Sequence, residues 1–219
     1  MIRFVNATKS FRTPHGRKYV LRDVNLEIPG GVNVAFLGRN GAGKSTILRL
    51  LAGCDIPDKG YIETTYAISW PMGLAKGLQG SLTGRENARF VCRIMGMTED
   101  EIEETVAWVH SFTELGDYFD MPIRTYSSGM YSRLNFTISM AFDFDCYIFD
   151  EIGAVGDNDF LEKSRQVLLA KQDDAIIIKV SHDMEELKRD CDVAVLVKDG
   201  RLALFDSVEK GIEAYLASQ

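Results

Sequence analysis

The 219-residue chain has no apolar run long enough to cross a bilayer: its longest stretches, such as Val193–Val197, are strand-sized, against the roughly 18 residues a spanning helix requires. The opening MIRFVNATKSF lacks the apolar core and small-residue cleavage site of a secretory signal, so the cytoplasm is the expected compartment. Any membrane contact should then run through a protein partner. Cysteine is scarce, and Cys54, Cys92, Cys146 and Cys191 show no CxxC pairing, which argues against a disulfide framework or a zinc site. Cys92 and Cys146 sit among apolar neighbours, as buried thiols do. Basic residues are outnumbered, 25 Lys and Arg against 32 Asp and Glu; a net charge of −7 argues against nucleic acid as a partner. Repeats, low-complexity tracts and linkers are absent. With 46% hydrophobic residues, the chain suits one compact α/β unit with a large core.

What is present begins with GRNGAGKST, residues 38–46, directly after the apolar run Val32–Leu37. A glycine-rich loop here links a buried strand to a helix beginning near Lys44. Without side chains at Gly38, Gly41 and Gly43, the backbone can turn tightly and aim N–H groups at phosphate oxygens, helped by the positive end of the helix. The candidate nucleotide contacts are Gly38, Arg39, Asn40, Gly41, Ala42, Gly43, Lys44, Ser45 and Thr46. Lys44 can reach the β- and γ-phosphates, and the Ser45 hydroxyl can serve Mg²⁺.

Around that loop the pattern is mixed. Ile2–Val5 and Val20–Ile28 partly alternate, separated by the turn-rich Thr13–Gly16, and predict a small sheet beside the nucleotide. Thr83 with Glu86, and Thr98 with Glu101, form capping-box patterns ahead of predicted helices Asn87–Met95 and Ile102–Phe112. This stretch reads as a helical insert. Afterwards the short apolar strands Tyr147–Phe149, Ala175–Val180 and Val193–Val197 alternate with helical segments, as in a parallel sheet wound with helices. An Asp199–Gly200 turn and a helix over Val208–Leu216 close the chain.

A second acidic element narrows the chemistry. Tyr147–Phe149 delivers Asp150 to the C-terminal end of a strand, where α/β sheets bind ligands and a carboxylate can support Mg²⁺. Side chains alternate along a strand, so the adjacent Glu151 can face the water that attacks the γ-phosphate. No NKxD guanine-reading motif occurs, which favours ATP over GTP. YSSGM, residues 126–130, puts Ser127, Ser128 and Gly129 at the start of a helix predicted from about Tyr131 to Phe142, a second anion-binding arrangement. His182, in VSHD after a strand, can donate to a γ-phosphate.

The order GRNGAGKST, YSSGM, YIFDE, SHD resembles the nucleotide-binding domain of ATP-binding cassette (ABC) proteins over essentially the whole chain. That resemblance implies a P-loop NTPase with a RecA-like core, an N-terminal antiparallel β subdomain and a helical subdomain. The expected division is one domain, 1–219, with core and β subdomain at about 1–72 and 146–219 and the insert with its signature loop at 73–145. It further implies a head-to-tail homodimer in which Ser127, Ser128 and Gly129 serve the partner's ATP, an aspartate loop at Asp157, and adenine stacking by Phe11 or Tyr19. The strings SWPMGL (69–74), SLTGREN (81–87), SMAFDFD (139–145) and AVGD (154–157) resemble ATPase subunits of bacterial capsular-polysaccharide exporters. They imply a peripheral subunit on the cytoplasmic face of the inner membrane, coupled to a separate permease that exports a lipid-linked glycan. The chain ends soon after Leu216, so glycan recognition is expected elsewhere. Three positions depart from the family pattern: the coupling-loop glutamine has no clear counterpart, Gln79 being displaced; Ser128 and Met130 replace glycine and glutamine in the signature; and Ala154 replaces a serine. The competing functions are a cassette ATPase working on soluble machinery and a catalytically silent regulator.

Overall fold

The computed structural model describes residues 1–14, 16–71, 78–150, 158–172 and 175–218. The chain divides into two units, Met1–Pro71 with Phe144–Glu151 and Gln172–Gln219, and Met72–Asp143 with Ile152–Lys171.

The first unit holds two sheets. Strands β1 (Ile2–Thr13), β2 (Gly16–Ile28) and β4 (Lys59–Thr64) form an antiparallel sheet in the order β2-β1-β4. β1 runs well past the predicted Ile2–Val5, and β2 begins four residues before the predicted Val20–Ile28. Left-handed residues Asn6 (φ 47°) and Asp23 (φ 50°) and register shifts between Phe4 and Ser10 break the period-two alternation on which the expectation relied. The second sheet joins β3 (Val34–Leu37), β5 (Cys146–Asp150), β6 (Ile176–Val180), β7 (Val193–Lys198) and β8 (Arg201–Phe205) in the order β5-β6-β3-β7-β8. All pairs are parallel except the β7–β8 hairpin. Asp199 and Gly200 close that hairpin with φ of 49° and 75°, as the Asp-Gly signal anticipates.

β3 is buried on both faces, which explains its unbroken apolar run. Val34 and Phe36 pack with Ile47, Leu48 and the antiparallel sheet; Ala35 and Leu37 pack with α6 (Met184–Asp190) and α7 (Val208–Ala217). The segment before Pro71 is laced to β5: Asp145 accepts from Ala67 N at 2.7 Å, and buried Ser69 accepts from Ile148 N at 2.9 Å.

The helical unit contains α2 (Gly84–Ile94), α3 (Glu99–Thr113), α4 (Ser128–Met140) and α5 (Asn158–Gln172). Both capping boxes form, at Thr83/Glu86 and Thr98/Glu101, and each helix starts at the residue after its cap, three residues before the predicted start. An N-cap is by definition the residue before the first helical one, so the pattern itself fixes the earlier boundary. Phe160 meets Phe112 and Phe136 edge-on in the core of this unit. Asn87, fully buried, is a polar hub. Its amide nitrogen lies 2.8–3.3 Å from the carbonyls of Gln79, Leu82 and Thr83, and its oxygen accepts from Gln79 N at 2.7 Å.

Two outcomes are expected. Asn87→Ala strands several buried backbone groups and should lower unfolding stability by about 2–4 kcal/mol, measured by urea titration. Burial pushes the Cys146 and Cys191 thiols up to about 12 and raises that of Cys92, whereas Cys54 is exposed. Native protein at pH 8 should therefore take up one equivalent of a maleimide, and Cys54→Ser should abolish the rapid labelling.

Candidate functional site

The phosphate loop leaves the end of β3 and enters α1 (Lys44–Leu51), as the sequence implies. Gly43 caps the helix with φ +106°, and a Cβ there would stand 2.4 Å from Val20 Cγ1. Conformation and crowding both demand glycine. No side chain caps α1, and its backbone ladder begins only where Ile47 N donates to Gly43 O at 3.0 Å. Among the described residues, the N–H groups of Ser45 and Thr46 have no acceptor within the chain. Lys44 is buried, and its ammonium donates to Gly38 O at 2.7 Å and Arg39 O at 3.4 Å. Ala42 N closes the turn onto Arg39 O, leaving Arg39, Asn40 and Gly41 exposed. Free donors at a helix N-terminus, beside a held ammonium, suit a polyphosphate. The Ser45 hydroxyl and the Asp150 carboxylate are hard oxygen donors suited to Mg²⁺, which binds few protein groups and takes its remaining oxygens from phosphate and water.

The β1–β2 hairpin reaches this loop. Lys18 Nζ donates to Gly41 O at 2.8 Å, a contact that no local motif signals, since only the strand pairing brings the two together. Phe11 pairs directly with Lys18 across the hairpin, and directly opposed residues project to one face. Phe11 is 45% exposed. Tyr19 pairs with Ser10, one register step on. Its ring is covered by the Arg22 guanidinium at 5.1 Å, and a side chain at Gly200 would touch its Cβ at 3.4 Å. The two aromatics that the sequence could not separate thus lie on different faces.

Asp150 and His182 leave the same edge of the parallel sheet as the phosphate loop. Asp150 ends β5 opposite Val180 of β6, and it is buried; His182 follows β6, which lies between β5 and β3. Side chains on either side of His182 hold its turn. Asp183 N donates to Ser181 Oγ (3.1 Å), Ser181 Oγ donates to Glu186 Oε2 (2.6 Å), and Asp183 Oδ1 caps α6 at Glu185 N and Glu186 N. Beneath it, Lys179 pairs with Glu186 at 2.8 Å and Asp190 at 2.5 Å. Burial opposes the charge on Lys179, yet the two carboxylates hold its ammonium above its usual range. Glu151, Asp157 and residues 72–74 of SWPMGL lie outside the described residues.

In the helical unit, α4 starts at Ser128, three residues earlier than predicted, because Ser127 is its cap: Ser127 Oγ accepts from Met130 N at 3.2 Å. The first ladder bond runs from Tyr131 N to Ser127 O. Among the described residues, the N–H groups of Ser128 and Gly129 have no acceptor, and the Ser128 side chain is exposed. SLTGREN supports this helix start from behind. A Cβ on Gly84 would meet Tyr126 Oη at 2.7 Å, and that hydroxyl donates to Tyr118 O at 2.6 Å.

The description "ABC transporter" applies to a family that matches residues 21–154. The polysialic acid transport ATP-binding protein KpsT of Escherichia coli is 54% identical over 216 residues, covering 98% of this chain and 96% of that protein. The capsule polysaccharide export ATP-binding protein CtrD of Neisseria meningitidis serogroup B is 41% identical, covering 98% of each. A solved dimeric ATP-binding cassette in a post-hydrolysis state, bound to ADP and Pi, shares the fold with a TM-score of 0.76 at 22% identity, covering 94% of this chain and 98% of that one. A phosphate loop, a serine–glycine helix start and an acidic strand end follow one another along a chain that these relatives match nearly end to end: the chain belongs to the ABC transporter family.

Proposed function

We propose that this chain is the ATP-hydrolysing subunit of a capsular-polysaccharide exporter, acting as a homodimer beneath a separate permease at the cytoplasmic face of the inner membrane. ABC-family membership makes it an ATP-binding ATPase, to which the proposal adds the glycan cargo, the dimer and the permease. One observation carries it: a phosphate loop with acceptor-free donors stands in a chain that matches polysaccharide-transport ATP-binding proteins along almost their full length. No helix among the described residues is long and apolar enough to cross a membrane, which is consistent with docking onto a permease.

In this reading Lys44 and the first-turn N–H groups of α1 stabilise the charge gathered on the transferring phosphoryl group. Mg²⁺, held by Ser45 and Asp150, would neutralise charge on the phosphate oxygens. Glu151 orients water and takes its proton as the water oxygen bonds to the γ-phosphorus, while the bond from that phosphorus to the β–γ bridging oxygen breaks. His182 contacts the γ-phosphate from its braced turn. Phe11, on the Lys18 face of the hairpin, stacks on adenine, and Tyr19 does not. Ser127 shapes the signature turn, and Ser128 and Gly129 present their N–H groups to the nucleotide of the partner subunit. ATP then joins two subunits that ADP holds less well, so hydrolysis releases the interface and drives the permease.

Glu151→Gln should cut phosphate release by about 10²–10⁴-fold while leaving ATP binding intact and trapping dimers; near wild-type turnover would reject the role of Glu151. The same tagged variant, purified with ATP from detergent-solubilised cells of its own organism, should bring down a polytopic membrane protein in near-equal amount. Ribosomal or DNA-associated partners without a membrane protein would sink the exporter reading.

A further inference from the structure

We propose that Lys9 is a positioning residue for the nucleotide base, fixing the ring of Phe11 so that one face stays available to adenine. The proposal rests on the reading of Phe11 as the stacking aromatic.

Lys9 lies two residues before Phe11 on β1 and is only 8% exposed, a rare setting for a lysine. Burial of an ammonium is tolerated where it is paired, and this one is: it donates to Asp55 Oδ1 and to Ile56 O, each at 2.7 Å. The carboxylate is fixed in turn, since Asp55 Oδ1 also accepts from Ile56 N at 2.8 Å and Asp55 N donates to Arg49 O at 3.2 Å. The Lys9 charge therefore cannot follow the ring. Instead the ring sits against the charge, with Nζ over the Phe11 ring at 5.7 Å from its centroid, within the range where a cation is drawn to the π face. Phe11 nonetheless keeps 45% of its surface exposed. An ammonium on one face orients the ring and draws π density toward itself, which favours stacking of an electron-rich purine on the other.

A plainer role exists for the same contacts: Lys9 and Asp55 could do no more than tie the α1–β4 connection to β1. The two roles separate on the ligand. Dissociation constants for ATP and for inorganic tripolyphosphate, which has no base, are measured by competition against a fluorescent ATP analogue, for the full chain and for Phe11→Ala, Lys9→Met, Lys9→Arg and Asp55→Asn.

Lys9→Met should weaken ATP binding about 3–10-fold and leave tripolyphosphate binding unchanged. Lys9→Arg should recover part of the loss, and combining Lys9→Met with Phe11→Ala should add nothing to Phe11→Ala alone. Asp55→Asn, which frees the ammonium without removing it, gives the same ATP-selective loss and stands in should Lys9→Met not fold. If Phe11→Ala leaves ATP binding unchanged, the stacking reading fails and takes this proposal with it. If Phe11→Ala weakens ATP binding but Lys9→Met does not, or Lys9→Met weakens both ligands equally, stacking survives and the role of Lys9 is overturned.

Discussion

The close approach of Gly43 to Val20 is the constraint around which the nucleotide site is arranged. A left-handed glycine at the helix start lets β2 lie within contact of the phosphate loop, and any side chain at Gly43 would push the two apart. Because that contact holds β2 in place, Lys18 two residues earlier reaches Gly41 O, and Phe11 on the paired strand lies on the same face. Elements that would meet the phosphate end and the base end of a nucleotide are thus coupled through one antiparallel strand pair. A loop of nine residues carries the motif, but its surroundings are set by a hairpin some twenty residues upstream.

The parallel sheet supplies the rest by an independent route. With β6 between β3 and β5, the turn bearing His182 emerges between the phosphate loop and Asp150, so three strand ends converge on one edge. Convergence alone does not fix a turn. Ser181, Asp183 and Glu186 close a hydrogen-bonded ring around the start of α6, and Lys179 anchors Glu186 and Asp190 from the strand below. Partly buried carboxylates tied to a partly buried ammonium hold their geometry more firmly than exposed pairs, because separating them would leave charge without a partner. His182 is exposed, yet it stands on one of the better braced turns of the first unit.

How much of this was legible follows from how local each feature is. The phosphate loop, Asp150 at its strand end, both capping boxes and the Asp-Gly hairpin are written in runs of fewer than ten residues, and each of these local features recurs in the structure, while Glu151 lies outside the described residues. The starts of α2, α3 and α4 lie three residues before the predicted ones, because the helix begins directly after its capping residue, whereas α1 and α7 begin where expected. The hairpin was underestimated where Asn6 and Asp23 turn left-handed and interrupt the alternation. Phe11 and Tyr19 could not be told apart for the same reason: across an irregular register only the pairing reveals the face. Lys18 and Lys9 were invisible, since a lysine in a strand reads as solvated until its acceptor, 23 or 46 residues away, is known. Within SLTGREN, Asn87 and Gly84 have structural duties of their own, the first as a buried hydrogen-bonding hub and the second in close approach to Tyr126.

Gly129 differs from the other glycines at the site. Its φ is not left-handed, and a Cβ there would approach only Ser127 Oγ, at 3.9 Å. Within its own chain, therefore, alanine would fit, and glycine in the first turn of α4 costs about 0.5–1 kcal/mol of helix stability. Ser128 beside it leaves a hydroxyl exposed and, with Gly129, two backbone donors without acceptors among the described residues. A helix that already has a capped first turn through Ser127 has no internal use for such a surface. Bare backbone at a helix N-terminus is what close approach by an anionic group requires. The homodimer reading supplies that group from outside the chain, as the phosphate of a nucleotide held by a second copy, and so gives the glycine a physical reason that its own fold does not.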